Sequence, residues 1–227
     1  MSNLETDLIC LIRDYPLSTV DQLCRLTGRP MQSVARSLLK LCREKRPYIN
    51  RNQNKESPNT PYVYAVTKYA VADKEIGGYP IDLSERKDKG LKHETLINDI
   101  HIELREQVIY WVQDRKTLWR NGVQPDAFFK LQSGERKRSF FLEAETGTNN
   151  PQDILDKYRG YEKLRLRMRS EKLDWLPMIK FSVLTVRPTI ESAEVLADEV
   201  LKESVIDPAF KDFYIFSSLP FAEPLVK

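Results

Sequence analysis

Cysteine and histidine are scarce in this sequence, and long apolar runs are missing altogether. Cys10, Cys24 and Cys42 have neither an even count nor the spacing of a zinc site, and each falls in a helix-like apolar stripe, which predicts reduced thiols in a core. His93 and His101 lie eight residues apart, about two turns on one helix face, too far for both to ligate one metal. No stretch approaches the length of a membrane span or has the form of a secretory signal, so a cytoplasmic protein without a membrane partner is expected. Internal repeats and low-complexity tracts are also absent. The net charge is only +3, and that balance by itself excludes little.

The distribution of charge says more. From Arg25 to Lys55 nine basic residues face the single acid Glu44, a net +8 that leaves the rest of the chain acidic. This window lies inside a compact pattern. Leu4, Leu8, Leu11, Ile12 and Tyr15 recur at helical spacing until Pro16. Ser18 with Asp21 predicts the cap of a short helix that ends at Thr27-Gly28. Met31, Val34, Ala35, Leu38, Leu41 and Cys42 build a third amphipathic helix after Pro30. Its outer face carries Gln32, Ser33, Arg36, Ser37, Lys40 and Arg43. Strands over 48–50 and 62–66, joined by a polar loop, complete a predicted winged helix-turn-helix over residues 1–74. In that fold the third helix enters the major groove of double-stranded DNA. Arg36 and Gln32 would reach base edges, Lys40, Arg43, Arg51 and Lys55 would meet phosphates, and Ser33 and Ser37 share the DNA-binding face. The plainer alternative is a solvated helix face, or a module for protein contacts.

Residues 75–91, polar and glycine-containing, read as a linker to a second domain over 92–227. That domain opens with a helix from His93 to Tyr110. Strand candidates follow near Thr117-Leu118-Trp119, from Asp126 and over Phe140–Glu145. A helix from Pro151 to about Arg169, a strand from Met178 to Val186, a helix from Pro188 to Glu203 and a strand from Phe213 to Ser217 complete it. The order αβββαβαβ predicts an α/β (α+β) domain, a mixed sheet flanked by helices. Strand alternation puts Glu143 and Glu145 on one face. A hairpin through Gln132-Ser133-Gly134 would bring Asp126 to Glu143, an oxygen-rich set suited to a hard divalent cation. Lys157 lies on the inward stripe of the next helix between Ile154 and Tyr161. It either answers those carboxylates or snorkels at the edge of the stripe. Lys130, on the strand face of Asp126, is a weaker candidate.

Pro125-Asp126, Glu143-Ala144-Glu145 and a following helix with Lys157 resemble the PD-(D/E)xK nuclease superfamily. More closely, nearly the whole chain resembles the replication-relaxation family of plasmid and mobile-element proteins. The resemblance rests on His93-Glu94, Asn98-Asp99, the run Phe141–Thr148, Lys157-Tyr158 and Tyr161. Glu145 stands where the standard nuclease motif has lysine, which Lys157 would supply instead. The resemblance implies that Asp126 and Glu143, bordered by Glu145, hold Mg²⁺ or Mn²⁺ and that Lys157 stabilises charge on a scissile phosphate. His93, Asn98, Tyr158 and Tyr161 are implied as support around them. No histidine cluster accompanies the tyrosines, which argues against a tyrosine relaxase. The expected function is nicking or cleavage of DNA, alternatively binding alone by a degenerate nuclease fold. The implied partners are double-stranded DNA and replication or mobilisation proteins, with room for a homodimer.

Overall fold

The computed structural model describes residues 1–52, 61–73, 76–81, 83, 88–113, 123–147, 149–170, 181–202, 206, 208–222 and 225–226. Among the described residues the chain forms seven α-helices and two β-sheets, a mixed α/β fold. It divides into two compact units, Met1–Ile102 and Glu103–Lys227.

In the first unit, helix α1 (Asn3–Asp14) starts at a capping box. Ser2 accepts from the Glu5 backbone N–H, and the Glu5 carboxylate accepts from Ser2 N–H at 2.8 Å. Two donors of the first turn are thereby satisfied. Strand β1 (Ser18–Thr19) leads into α2 (Val20–Thr27), whose cap differs from the expected Ser18 and Asp21. Thr19 accepts from Gln22 N–H at 3.3 Å, and the Gln22 side chain accepts from Thr19 N–H at 2.9 Å. Ser18 is instead paired with Tyr64 in the sheet, and its hydroxyl donates to Tyr15 O at 2.5 Å. Strand pairing thus shifts the helix frame by one residue. Gly28 closes α2 at φ 66°, its N–H donating to Cys24 O at 2.8 Å, a left-handed position where glycine avoids a Cβ penalty.

Helix α3 (Met31–Arg43) buries Val34, Leu38 and Leu41 in a core with Leu8, Ile12, Leu23 and Ile49. Strands β2 (Ile49–Asn52) and β3 (Val63–Val66) run antiparallel, with β3 between β1 and β2. A single helical turn, α4 (Lys68–Val71), follows.

Helix α5 (Asp88–Leu104) ends six residues before the expected Tyr110. The run Val108–Val112 forms strand β4 instead, as β-branched and aromatic residues favour. Gln22 Nε2 donates to Thr95 O at 2.9 Å, Asn98 Nδ2 donates to Pro16 O at 2.7 Å, and Arg25 pairs with Asp99 at 2.8 Å. These bonds join α5 to the first unit. The division therefore falls after Ile102, later than the linker expected over 75–91.

The second unit continues with β5 (Ala127–Ser133), β6 (Arg136–Ala144), α6 (Pro151–Ser170), β7 (Phe181–Arg187), α7 (Ile190–Lys202), a 3-10 helix (Pro208–Phe213) and β8 (Tyr214–Ser218). The order αβββαβαβ is met with β4 as its first strand, while Thr117-Leu118-Trp119 lies outside the described residues. The sheet runs β4-β5-β6-β7-β8, antiparallel up to β6 and parallel beyond it. Ser133 pairs with Arg136, so the β5–β6 loop is Gly134-Glu135, with Gly134 at φ 58° as two-residue hairpins favour.

Ile154, Tyr158 and Tyr161 of α6 share one core with Leu196 and Val200 of α7 and with Phe141 and Val183 of the sheet. Both helices therefore cover one face of the sheet, as two right-handed crossovers in the same direction require. On the other face Phe129 stacks with Phe140 and with Trp111, centroids 5.0 and 5.1 Å apart.

Candidate acidic site and nucleic-acid interface

The acidic residues gather where β6 ends. Ala127 pairs with Leu142, which brings Asp126 level with Glu143 on the neighbouring strand. Asp126 Oδ2 accepts from Ala144 N–H at 2.8 Å, and its own N–H donates to Leu142 O at 2.9 Å, so the carboxylate is fastened to the end of β6. Glu143 and Glu145 point to the α6 side of the sheet. All three carboxylates are buried.

Lys157 comes down on them from α6, one turn before Tyr161. Its ammonium donates to Glu143 Oε2 and lies 3.4 Å from Glu145 Oε1. Tyr161 donates to Glu143 Oε1, so both oxygens of Glu143 are engaged. Asn149 Nδ2 donates to Glu145 Oε2 at 2.5 Å. Tyr158 shares a 2.5 Å hydrogen bond with Thr185, the residue beside Glu143 in the parallel ladder.

Burial pushes the Glu143 carboxyl up to about 8, against the opposing pull of Lys157, with Asp126 adding to the rise. Burial alone would lower the Lys157 pKa. Glu143, Asp126 and Glu145 together outweigh it and hold the ammonium above its usual range. Tyr161 is raised well above the ordinary phenol, first by burial and then by Glu143. The lysine thus keeps its positive charge, while Glu143 holds a proton more readily than an ordinary carboxyl.

As donors, Asp126, Glu143 and Glu145 have the chemistry of a hard-cation site. Ionised together, three carboxylates against one ammonium would leave an excess of negative charge that a cation would relieve. As placed here, the Lys157 ammonium fills part of the space between them. Among the described residues no three His, Cys, Asp or Glu side chains are drawn together closely enough to grip one ion.

The first unit presents a second feature. Gln32, Ser33, Arg36 and Arg43 are exposed on α3, with Ser37 half-buried among them. Lys40 is exposed but bonded to the buried Glu5 at 2.7 Å, which ties α3 to α1 and raises the lysine pKa through that bond. Arg51 is exposed on β2, its guanidinium 4.5 Å from the centre of the Tyr62 ring. Lys55 lies outside the described residues.

A model of the replication-relaxation family matches residues 10–174, most of the chain. The chain belongs to the replication-relaxation family. Neither the curated proteins nor the solved structures give a match. Membership points to a role in plasmid or mobile-element replication or relaxation. Among the described residues no helix is long and apolar enough to cross a membrane.

The matched span of this replication-relaxation protein contains both the α3 face and the acidic group. Of the supporting residues expected around the carboxylates, Tyr161 touches Glu143 and Tyr158 reaches Thr185. Asn98 is occupied elsewhere, its amide bonded to Pro16 O, and His93 lies half-buried on α5 in the first unit. Lys130 pairs in register with Ser139 and lies 5.8 Å from the Tyr110 ring centre, away from the end of β6. Sequence reasoning did not find Thr185, Asn149 or Arg187. Only Arg187 leaves a readable signal, the one charged residue of its strand, closing it just before Pro188.

Proposed function

We propose that this protein binds double-stranded DNA through the first unit, used as a winged helix-turn-helix, and nicks or cleaves it at the acidic site of the second. The observation that carries the reading is Lys157, which reaches Glu143 and Glu145 from α6 beside Asp126. This is the carboxylate and lysine complement of a PD-(D/E)xK-like nuclease, with the lysine supplied by the following helix.

Asp126 and Glu143 are the residues that would hold Mg²⁺ or Mn²⁺, with Glu145 at the border. Bound there, such an ion polarises a phosphate and makes hydroxide available near neutral pH. The protein's own part is positional and electrostatic. Tyr161 and Asn149 fix the rotamers of Glu143 and Glu145. Lys157, permanently charged, offsets negative charge developing on a phosphate that enters beside it.

A second reading is supported by the pairing itself. Glu143 is already satisfied by Lys157 and Tyr161, so the group also makes sense as a structural ion pair in a non-catalytic regulator or accessory factor. Incubation of the full-length protein with supercoiled plasmid and Mn²⁺ separates the two. Metal-dependent nicking that Asp126→Ala abolishes supports cleavage, whereas binding without nicking by the wild type supports the accessory role.

A further inference from the structure

We infer that Arg187 is a phosphate-binding residue of the acidic site, the second cation that a nucleic-acid phosphodiester meets there. The inference rests on the nuclease-like reading only for what happens to the phosphate afterwards.

Arg187 is the last residue of β7. Ala144 pairs with Val186, and Glu145 N–H donates to Val186 O at 2.9 Å, so Arg187 falls beside Glu145 across the ladder. It shares a strand face with Thr185, whose hydroxyl bonds Tyr158 of α6, and therefore emerges on the helix-covered side. Asp126, Glu143 with Glu145, and Arg187 thus stand in or next to the neighbouring ends of three successive strands, β5, β6 and β7. In open α/β sheets ligands bind outside the carboxyl ends of the parallel strands, which is where β6 and β7 end.

The guanidinium is held but not used up. Nη1 donates to Ser192 O at 3.2 Å in the first turn of α7. Nη2 lies against the turn between β6 and α6, where a Cβ on Gly147 would come within 3.2 Å of it. Nε is shut off from solvent and has no hydrogen-bond partner among the described residues. Arg187 enters none of the ion pairs found among the described residues. A buried donor left without an acceptor is destabilising, and a guanidinium presents its donors in the fork that phosphate oxygens match. An anion arriving at the rim would meet the charge of the guanidinium rather than its buried Nε, and carboxylates beside a single lysine would repel that anion if no second cation stood there.

The test uses the full-length protein, free of metal, with inorganic phosphate as the probe and the arginine Nε–H resonances as the readout. The Arg187 signal is identified by its loss in Arg187→Lys. The inference expects it to shift saturably with phosphate. A signal unmoved up to about 10 mM phosphate, weaker than any useful site affinity, overturns it and leaves Arg187 as a tether for α7. If the wild type nicks plasmid, Arg187→Gln should raise KM about tenfold to a hundredfold, the range for losing a charge-assisted phosphate contact, with Arg187→Lys recovering part of the loss. An unchanged KM in a folded Arg187→Gln protein counts against the inference. Phosphate binding at Arg187 in a protein that does not nick overturns cleavage and keeps the phosphate site.

Discussion

Lys157 donates to Glu143 from the middle of α6, and Tyr161 one turn later donates to the other oxygen of the same carboxylate. One helix therefore addresses both lone-pair faces of a buried acid. The arrangement depends on the i, i+4 spacing that puts the two residues on one stripe. Removing the lysine leaves Glu143 buried without its cation. At about pH 9, where Glu143 is ionised in the wild type, Lys157→Met should destabilise the second unit by about 2–4 kcal/mol, somewhat below a fully buried pair because the lysine is partly exposed. Adding Glu143→Gln should restore most of that loss. Urea denaturation of the two variants checks this, and equal stability of the single and double variants would contradict it.

The proton on Glu143 predicts a pH dependence. Its folded value of about 8 is above the unfolded carboxylate, so the native state holds the proton more tightly. The corresponding stability is fully present below the unfolded pKa and is lost as pH rises through about 8. With divalent metal chelated, the wild type should lose stability between about pH 5 and about pH 9. Glu143→Gln should lose less over that window. Parallel slopes for the two proteins would show that the proton is not on Glu143.

His101 predicts the opposite slope in the first unit. Burial lowers its pKa to about 4, and its ring lies 4.8 Å from that of Tyr15. The native state resists protonation, so the contribution is present above the unfolded pKa and is lost as pH falls through the folded value. Acid should weaken this unit between about pH 6.5 and about pH 4. His101→Phe, which keeps a ring beside Tyr15, should flatten that loss in thermal unfolding followed across the window.

On the α3 face, Arg36→Glu and Arg43→Glu together should weaken duplex binding at least about tenfold and reduce the salt slope by roughly two, as expected for two lost phosphate or base-edge cations. Lys40 is a poorer target because its reversal also strands Glu5. Unchanged affinity and slope in fluorescence anisotropy would remove this face from DNA binding.

Features written into short stretches of sequence were the legible ones. The α3 stripe, the hairpin that brings Asp126 to Glu143 and the inward position of Lys157 all follow from periods of 3.6 and 2. Features that depend on distant partners were not. Ser18-Asp21 and Thr19-Gln22 are overlapping cap patterns, and pairing of Ser18 with Tyr64 chooses between them. Asn98 carries no local sign that Pro16 O will claim it, nor does Lys40 announce Glu5. The end of α5 was misplaced because Ile100, Leu104 and Val108 continue a helical stripe across a break that β4 imposes.

The most direct measurement is calorimetric titration of Mn²⁺ into the full-length protein. Lys157 must share Glu143 and its neighbours with a divalent ion if the second unit is to cut DNA. Saturable binding that Glu143→Gln and Asp126→Ala each abolish, with both variants folded, is the predicted result. No saturable binding, or binding that both variants retain, would contradict the account and leave the Lys157 and Glu143 pair as a structural element of a DNA-binding protein.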